Sequence, residues 1–333
     1  MNGNPLLIIL GPTASGKTRL AVQLADAIGT QQTENARQTR NHKVRSGNIA
    51  RAEIISADSR QVFKGMDIGT GKDLNEYKIN GKLIPYHLID IKQAGDHYNV
   101  NEFKEDFYAV FNELTAKNIL PILCGGTGMY IHSLLQQHEY TAIPVNETLR
   151  LSLKALTIED LRSHLSAYPH EFTGHADLSS HKRLIRAIEI SNYLKYNTLI
   201  KPERPVINPL IIGLESEVIL RRNRIAVRLE ARFKAGMIEE VKTLLDRGIS
   251  KDMLTFYGLE YKFIAAYLFG EMDLTELKEK LTIAICQYAK RQMTFFRKME
   301  KDGVYIHWLK SDNPQELVQQ ALAVYQGHFN AFV

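Results

Sequence analysis

Residues Gly11 to Thr18 read Gly-Pro-Thr-Ala-Ser-Gly-Lys-Thr. They follow an apolar run, Pro5 to Leu10, and precede an amphipathic stretch, Arg19 to Ile28. Gly-x4-Gly-Lys-Thr between a strand and a helix is a phosphate-binding loop in its proper context. Gly11, Thr13, Ala14, Ser15 and Gly16 supply a backbone that wraps a phosphate, with amides at the helix start pointing at it. Lys17 adds a point charge, and Thr18 can place a hydroxyl on Mg²⁺. The loop implies a di- or triphosphate. It leaves open which one, and whether that ligand is hydrolysed, transferred or displaced. A second candidate, Gly69-Thr-Gly-Lys72, has Met66 where the first glycine belongs and Asp73 in place of Ser or Thr, so it reads as a glycine-rich turn.

Three further groups carry chemistry. Ile54 to Ser56 reads as a buried strand that ends by presenting Asp58, Ser59, Arg60 and Gln61. A carboxylate there can act as a base or bind Mg²⁺ through water; a helix N-cap at Asp58 or Ser59 is the equally weighted alternative. Leu123-Cys-Gly-Gly-Thr-Gly-Met-Tyr130 closes another strand. Its glycines suggest close approach of backbone to a ligand and Thr127 offers a hydroxyl, although a plain strand-to-helix turn has the same composition. Arg221, Arg224, Arg228 and Arg232 share one helical face. Such a face can hold a diphosphate, or it is simply solvated. In Gln287 to Lys298, basic residues interleave with Tyr288, Phe295 and Phe296. That pattern fits a nucleic-acid surface or an amphipathic helix with its aromatics turned inward.

The elements that must position these residues alternate in kind. Leu6 to Leu10, Glu53 to Ser56, Leu83 to Asp90 and Pro121 to Cys124 read as buried strands. Arg19 to Ile28 and Asn101 to Lys117 read as helices between them. This is the pattern of a parallel α/β sheet, in which chemistry gathers after strand ends. Gln31 to Arg51 is polar and basic and reads as a solvated loop, with an RNA-touching flap as the sharper reading. From Val145 to about Arg204 the periodicity is helical, with a capped start at Thr157. The expected layout is therefore an α/β core over 1–144 and 205–333 with a helical insertion over 145–204. Beyond the insertion come a strand at Val206 to Leu214, weakened by Pro209, helices near Glu217 to Gly236, Met237 to Arg247, Tyr257 to Phe269 and Leu274 to Lys298, a strand at Val304 to Leu309, and a last helix from Pro314.

Bulk properties bound the rest. The chain has 333 residues, 44% apolar, enough for a sizeable core. Two distant cysteines, Cys124 and Cys286, argue against a disulfide framework and offer no zinc-site spacing. No apolar run approaches a membrane span and no signal segment opens the sequence, so a soluble cytoplasmic protein is expected. The net charge of +5 is compatible with nucleic-acid or phosphate ligands.

Taken together the motifs resemble the tRNA dimethylallyltransferase (isopentenyltransferase) family. GPTASGKT is followed by IISADSRQVFKGMDIGTGK, PYHLIDI, PILCGGTGMYI, HKRLIRAIEI, RLEARFKAGMIEEV and YAKRQMTFFRKME, in family order and over nearly the whole chain. The resemblance implies a phosphate-loop α/β fold with an inserted all-helical tRNA-binding domain. It implies transfer of a dimethylallyl group from dimethylallyl diphosphate to N6 of the adenosine next to the anticodon, in tRNAs reading codons that begin with U, with release of diphosphate. The loop would then grip a leaving group. Asp58 resembles the general base, Thr127 the threonine where base and diphosphate meet, and Arg228 a stabiliser of the diphosphate beside Lys17 and Mg²⁺ on Thr18. Asp58, Ser59, Arg60 and Gln61 would hold the extruded adenine and its neighbours. Arg150, Lys182, Arg183 and Arg186 match positions that contact the anticodon stem-loop. A monomer is implied, and no membrane partner. Gly258-Leu-Glu-Tyr-Lys262 departs from the usual Gly-Tyr-Lys-Glu, which puts substrate contacts of that helix in question. The competing readings are an adenylate isopentenyltransferase acting on free nucleotides, a phosphate-loop kinase or NTPase, and an RNA-binding protein with an inactive core.

Overall fold

The computed structural model describes residues 3–38, 51–136, 138–174 and 176–329, with 31–38 as backbone only. In chain order the first elements are β1 (Asn4–Leu10), α1 (Lys17–Gln38), β2 (Arg51–Ser56), β3 (Lys78–Ile79), β4 (Lys82–Leu83), β5 (Tyr86–His87), α2 (Val100–Ala116), β6 (Ile119–Gly125) and α3 (Gly128–Leu135). Next come α4 (Glu147–Leu153), α5 (Ile158–Ser166), α6 (His170–Thr173), α7 (His181–Tyr196) and β7 (Ile207–Leu214). The chain continues with α8 (Val218–Lys234), α9 (Met237–Asp246), α10 (Lys251–Tyr257), α11 (Leu259–Leu268), α12 (Leu274–Lys301), β8 (His307–Leu309) and α13 (Pro314–Phe329).

Six strands form one parallel sheet in the order β5-β2-β6-β1-β7-β8. The central strand β1 pairs on both sides, Leu7 standing opposite Ile122 of β6 and Leu210 of β7. Its residues Leu6 to Leu10 are fully buried, and successive side chains go to opposite faces. Leu6, Ile8 and Leu10 enter the core shared with α2, α3 and α8 to α12; Leu7 and Ile9 enter the core under α1 and α13. A strand covered on both faces must be apolar throughout, which is why it reads as a run rather than an alternation.

The expected strand from Leu83 to Asp90 is broken into β4, which pairs antiparallel with β3, and the edge strand β5. Pro85 supplies no N–H between them, and Leu88 (φ 61°) and Asp90 (φ 57°) are left-handed. Pro209 instead sits inside β7, opposite Leu6. On the other side β8 pairs only from Ile212 onward, so the missing N–H costs no ladder bond there. The loop expected from Gln31 is helical as far as Gln38; the remainder up to residue 50 lies outside the described residues. The helix expected from Tyr257 begins instead at Leu259, as α11, because Gly258 (φ 131°) ends α10 at Tyr257.

The chain separates into two compact units, residues 1–135 with 205–333, and residues 136–204. The second holds α4 to α7 around its own core of Leu153, Leu161, Leu165, Leu184 and Ile188. Thr157 starts α5 with a capping box: its hydroxyl accepts from the Asp160 N–H, and the Asp160 carboxylate accepts from the Thr157 N–H, each at 3.2 Å. Among the described residues no helix is long and apolar enough to cross a membrane.

Candidate active site

The phosphate loop joins β1 to α1 at the carboxyl end of the sheet. Ala14 (φ 63°) and Gly16 (φ 84°) are left-handed, which turns successive amides toward one side as in an anion-binding nest. Ser15 is buried, and its Oγ has no partner in the protein. An orphaned hydroxyl inside such a loop fits a site shaped for an anion. Lys17 Nζ lies 3.5 Å from the Pro12 carbonyl oxygen. Burial lowers the Lys17 pKa, while the neighbouring Cys124 and Asp58 pull it up. Thr13, Lys17 and Thr18 line a cavity of about 370 Å³.

The ends of β2 and β6 form the adjoining wall. Asp58, Ser59, Arg60 and Gln61 all line the same cavity. The Asp58 carboxylate accepts from the Arg60 N–H at 2.9 Å, so it closes a turn and faces the cavity at once. The Thr127 hydroxyl accepts from the Ser59 N–H at 3.2 Å, and the Thr127 N–H donates to the Ala57 carbonyl at 3.2 Å. Thr127 thus ties the two turns together. The close approach implied by the glycines of the β6 turn is to protein: a Cβ at Gly126 would overlap the amide of Gln292, and one at Gly128 the ring of Phe295. Gln61 bridges from the Ser56 hydroxyl to the Gly71 carbonyl. Burial pushes the Cys124 thiol beside Lys17 up to about 12, which makes it a packing group with a hydrogen bond from Thr18.

The opposite wall comes from the turn at 67–73 and from helices α8, α11 and α12. The Gly69-Thr-Gly71 turn, read from sequence as ordinary, lines the cavity. It is held from outside by Glu240 on α9, whose carboxylate accepts from the N–H groups of Asp67, Ile68 and Gly69 at 2.8, 2.7 and 3.0 Å and from the Tyr261 hydroxyl at 2.7 Å. Lys72 closes the turn from below; its buried ammonium pairs with Asp67 and Asp90 and donates to the Phe63 carbonyl at 2.7 Å. The arginine face of α8 divides. Arg228 and Arg232 line the cavity, whereas Arg221 donates to the Ser216 carbonyl and Arg224 pairs with Asp312. Arg228 is paired with Asp73. Arg232 lies 3.5 Å from Glu260, its Nε is buried without a partner, and burial lowers its pKa. Burial raises the carboxyl of Glu260, with Arg232 opposing. Gly258 to Lys262, where the sequence departs from the family pattern, lines the cavity without interruption, as do Tyr288 and Arg291 of α12.

The other four sequence-designated residues belong to the helical unit. The Glu189 side chain there is 1% exposed and takes Arg150 at 2.9 and 3.0 Å, Arg186 at 3.4 Å and the Asn146 N–H at 2.9 Å. Arg150 and Arg186, both part-buried, therefore hold that unit together. Arg183 is exposed and pairs with Asp177, and Lys182 is exposed. Sequence reading gave no role of their own to Gln292, Glu240 and Glu260, although they stand in the quoted stretches YAKRQMTFFRKME, RLEARFKAGMIEEV and Gly258 to Lys262, and it weighed Arg291 only within a basic and aromatic helix. The spacing of these residues signals no chemistry, and only the fold brings α9, α11 and α12 to the turns around the cavity.

Among the described residues no three His, Cys, Asp or Glu side chains are placed to hold a metal. Mg²⁺ does not need such a cage, because it keeps several waters and binds through one or two protein oxygens and substrate phosphates. The Thr18 hydroxyl at the loop, in the same cavity as Asp58, suits that habit.

A parallel sheet whose central strand runs into a phosphate loop, with a carboxylate at the next strand end and paired arginines opposite, defines a phosphate-loop enzyme with an inserted helical unit. The sequence model of the family described as IPP transferase matches residues 61–299. A tRNA dimethylallyltransferase of Porphyromonas gingivalis is 48% identical over 313 residues, 93% of this chain and 95% of that protein. Its counterpart in Parabacteroides distasonis is 45% identical over 318 residues, 95% of each. The crystal structure of a full-length tRNA isopentenylpyrophosphate transferase from Bacillus halodurans superposes with a TM-score of 0.65 at 29% identity, covering 98% of this chain and 99% of that one. The chain belongs to the IPP transferase family.

Proposed function

We propose that this protein is a tRNA dimethylallyltransferase that prenylates N6 of the adenosine next to the anticodon, in tRNAs reading codons that begin with U. The single observation that carries the site assignment is that Lys17, Thr18, Asp58 and Arg228 line one cavity. The family is one of prenyl transfer to tRNA, the activity for which the relatives are named.

The exocyclic amine of adenine is a weak nucleophile because its lone pair is delocalised into the ring. As that lone pair forms the new C–N bond, the allylic C–O bond breaks and its electron pair leaves with the diphosphate. The amine proton passes to the Asp58 carboxylate, acting as general base. Charge growing on the diphosphate is met by Lys17, by the loop backbone at Gly11, Ala14 and Gly16, by Arg228 and by Arg232. Thr18 would hold Mg²⁺, which when bound would supply further neutralisation of phosphate charge. Thr127 fixes where the adenine and the diphosphate meet, since it stitches the β2 turn to the β6 turn. The adenine must leave its stack to reach this cavity, which costs a few kcal/mol. Ser59, Arg60 and Gln61 then flank it, with Lys182, Arg183, Arg150 and Arg186 of the helical unit taking the anticodon stem-loop. On this reading the protein works in the cytoplasm, as a monomer.

The test is to incubate the protein with dimethylallyl diphosphate, Mg²⁺ and unmodified tRNA, digest the RNA and weigh the nucleosides. Prenylated adenosine in tRNA is the expected product. Prenylated AMP without a tRNA product would assign the activity to free nucleotides, and phosphate release from ATP without prenylation would make the protein a kinase or NTPase.

A further inference from the structure

Two amides of the phosphate loop already have partners: the Ser15 N–H donates to the Pro12 carbonyl at 3.3 Å inside the loop, and the Thr13 N–H has a partner outside it. The Thr13 N–H donates to Gln292 Oε1 at 2.8 Å, and Gln292 Nε2 donates to the Gly126 carbonyl at 2.9 Å. Those two partners fix which end of the side-chain amide is which, since an N–H requires an oxygen and a carbonyl requires an N–H. Gln292 is 7% exposed and stands on α12 one turn beyond Tyr288, which lines the cavity. Gly126 leaves it room that any side chain would take away. The Gln292 amide is thus a wedge between the opening turn of the phosphate loop and the turn after β6.

The far end of the loop is different. Ser15 Oγ and Arg232 Nε are buried without partners, and Lys17 and Thr18 face the cavity. Two phosphates find donors there. A nucleoside triphosphate on such a loop also needs room and donors for its third phosphate, beyond the two cradled at the helix start. Toward the opening turn the Thr13 donor is occupied, and the Gln292 amide bridges the two turns. A third phosphate would have to displace Gln292 and leave the Gly126 carbonyl without its donor.

We propose that Gln292 sets the phosphate count of this loop, so that it accepts a diphosphate and rejects a triphosphate. The inference rests on the prenyl-transfer reading of the site, which requires a diphosphate grip. A loop with the sequence of a nucleotide-binding loop would thereby be closed to nucleoside triphosphates, its specificity coming from an obstacle as well as from the fit.

Titration calorimetry with inorganic pyrophosphate and with inorganic tripolyphosphate, each with Mg²⁺, reads the ratio of the two affinities on the full chain. Wild type is expected to favour pyrophosphate by about tenfold or more, although tripolyphosphate carries more charge. Gln292→Ala, shown to be folded by circular dichroism, should gain tripolyphosphate affinity by about tenfold as the Thr13 amide is released. Equal affinities in wild type, or an unchanged ratio in folded Gln292→Ala, would overturn the proposal. Should the alanine variant not fold, Gln292→Met keeps the volume and removes both hydrogen bonds; it should still shift the ratio severalfold, and no shift would overturn the proposal equally. The readout is binding alone. A missing prenylated nucleoside would therefore remove the functional reading without deciding this one.

Discussion

Asp58 has two duties that substitution can separate. It accepts the Arg60 N–H and closes the turn after β2, and it faces the cavity where the amine proton must go. Asp58→Asn keeps an oxygen for the turn and removes the base. Single-turnover prenylation should slow by about 10²- to 10⁴-fold, with tRNA affinity close to wild type in a filter-binding assay; near-normal turnover would dismiss Asp58 as the base. Lys17 adds a pH signature. Burial lowers its folded pKa below the ordinary value, so in the interval between the two the unfolded chain binds more protons and stability rises with pH. Diphosphate acts in the opposite sense, because its charge favours the ammonium. Pyrophosphate affinity should therefore fall as pH rises above the lowered Lys17 pKa, with proton uptake on binding in the interval between that value and the higher one of the complex. Calorimetry in buffers of different ionisation enthalpy measures that uptake, and Lys17→Met should bind weakly with no such slope.

At the scale of elements, the part of the site that was legible in sequence is the part built from contiguous residues. Gly11 to Thr18, Asp58 to Gln61 and Thr127 announce themselves because each follows a buried strand, and a strand end fixes where the next residues point. The wall formed by α8, α9, α11 and α12 is assembled across hundreds of residues, and side chains such as Gln292 and Glu240 look like ordinary polar positions of amphipathic helices until the helices pack. The same limit explains the misread strand at Leu83 to Asp90: its apolar content is right, but Pro85 and two left-handed residues stop it pairing. Glu240 makes this layer testable. One carboxylate holds three N–H groups of the turn at 67–69, and bonds to a charged group contribute roughly 1.5–3 kcal/mol each without adding simply. Glu240→Ala should release hydrogen-exchange protection at Asp67, Ile68 and Gly69 and raise KM for dimethylallyl diphosphate more than it lowers kcat. Unchanged protection at those amides would show that Lys72 alone secures the turn.

At the scale of the whole molecule, the two compact units have separate cores and separate electrostatic anchors. In the helical unit the anchor is Glu189, whose side chain is 1% exposed and which neutralises both Arg150 and Arg186. Burial lowers the Arg186 pKa, as expected of a guanidinium that needs its carboxylate. Removing that carboxylate leaves two part-exposed cations without their shared partner, and solvent screening holds the loss below the about 3–5 kcal/mol of a fully buried pair. Because the described residues that line the cavity all belong to the other unit, the loss should stay local. Glu189→Ala is expected to split an early transition from the main one in scanning calorimetry and to weaken tRNA binding, while pyrophosphate affinity stays at the wild-type value. Lys182 supplies the contrast, being exposed and outside the unit's core. Lys182→Ala should leave both transitions in place, lower tRNA affinity, and reduce the slope of log affinity against log salt by about one phosphate contact. If Glu189→Ala instead lowered a single transition and pyrophosphate affinity together, the two units would be one cooperative body. The basic residues of the insertion would then act on the diphosphate site through its stability rather than through RNA.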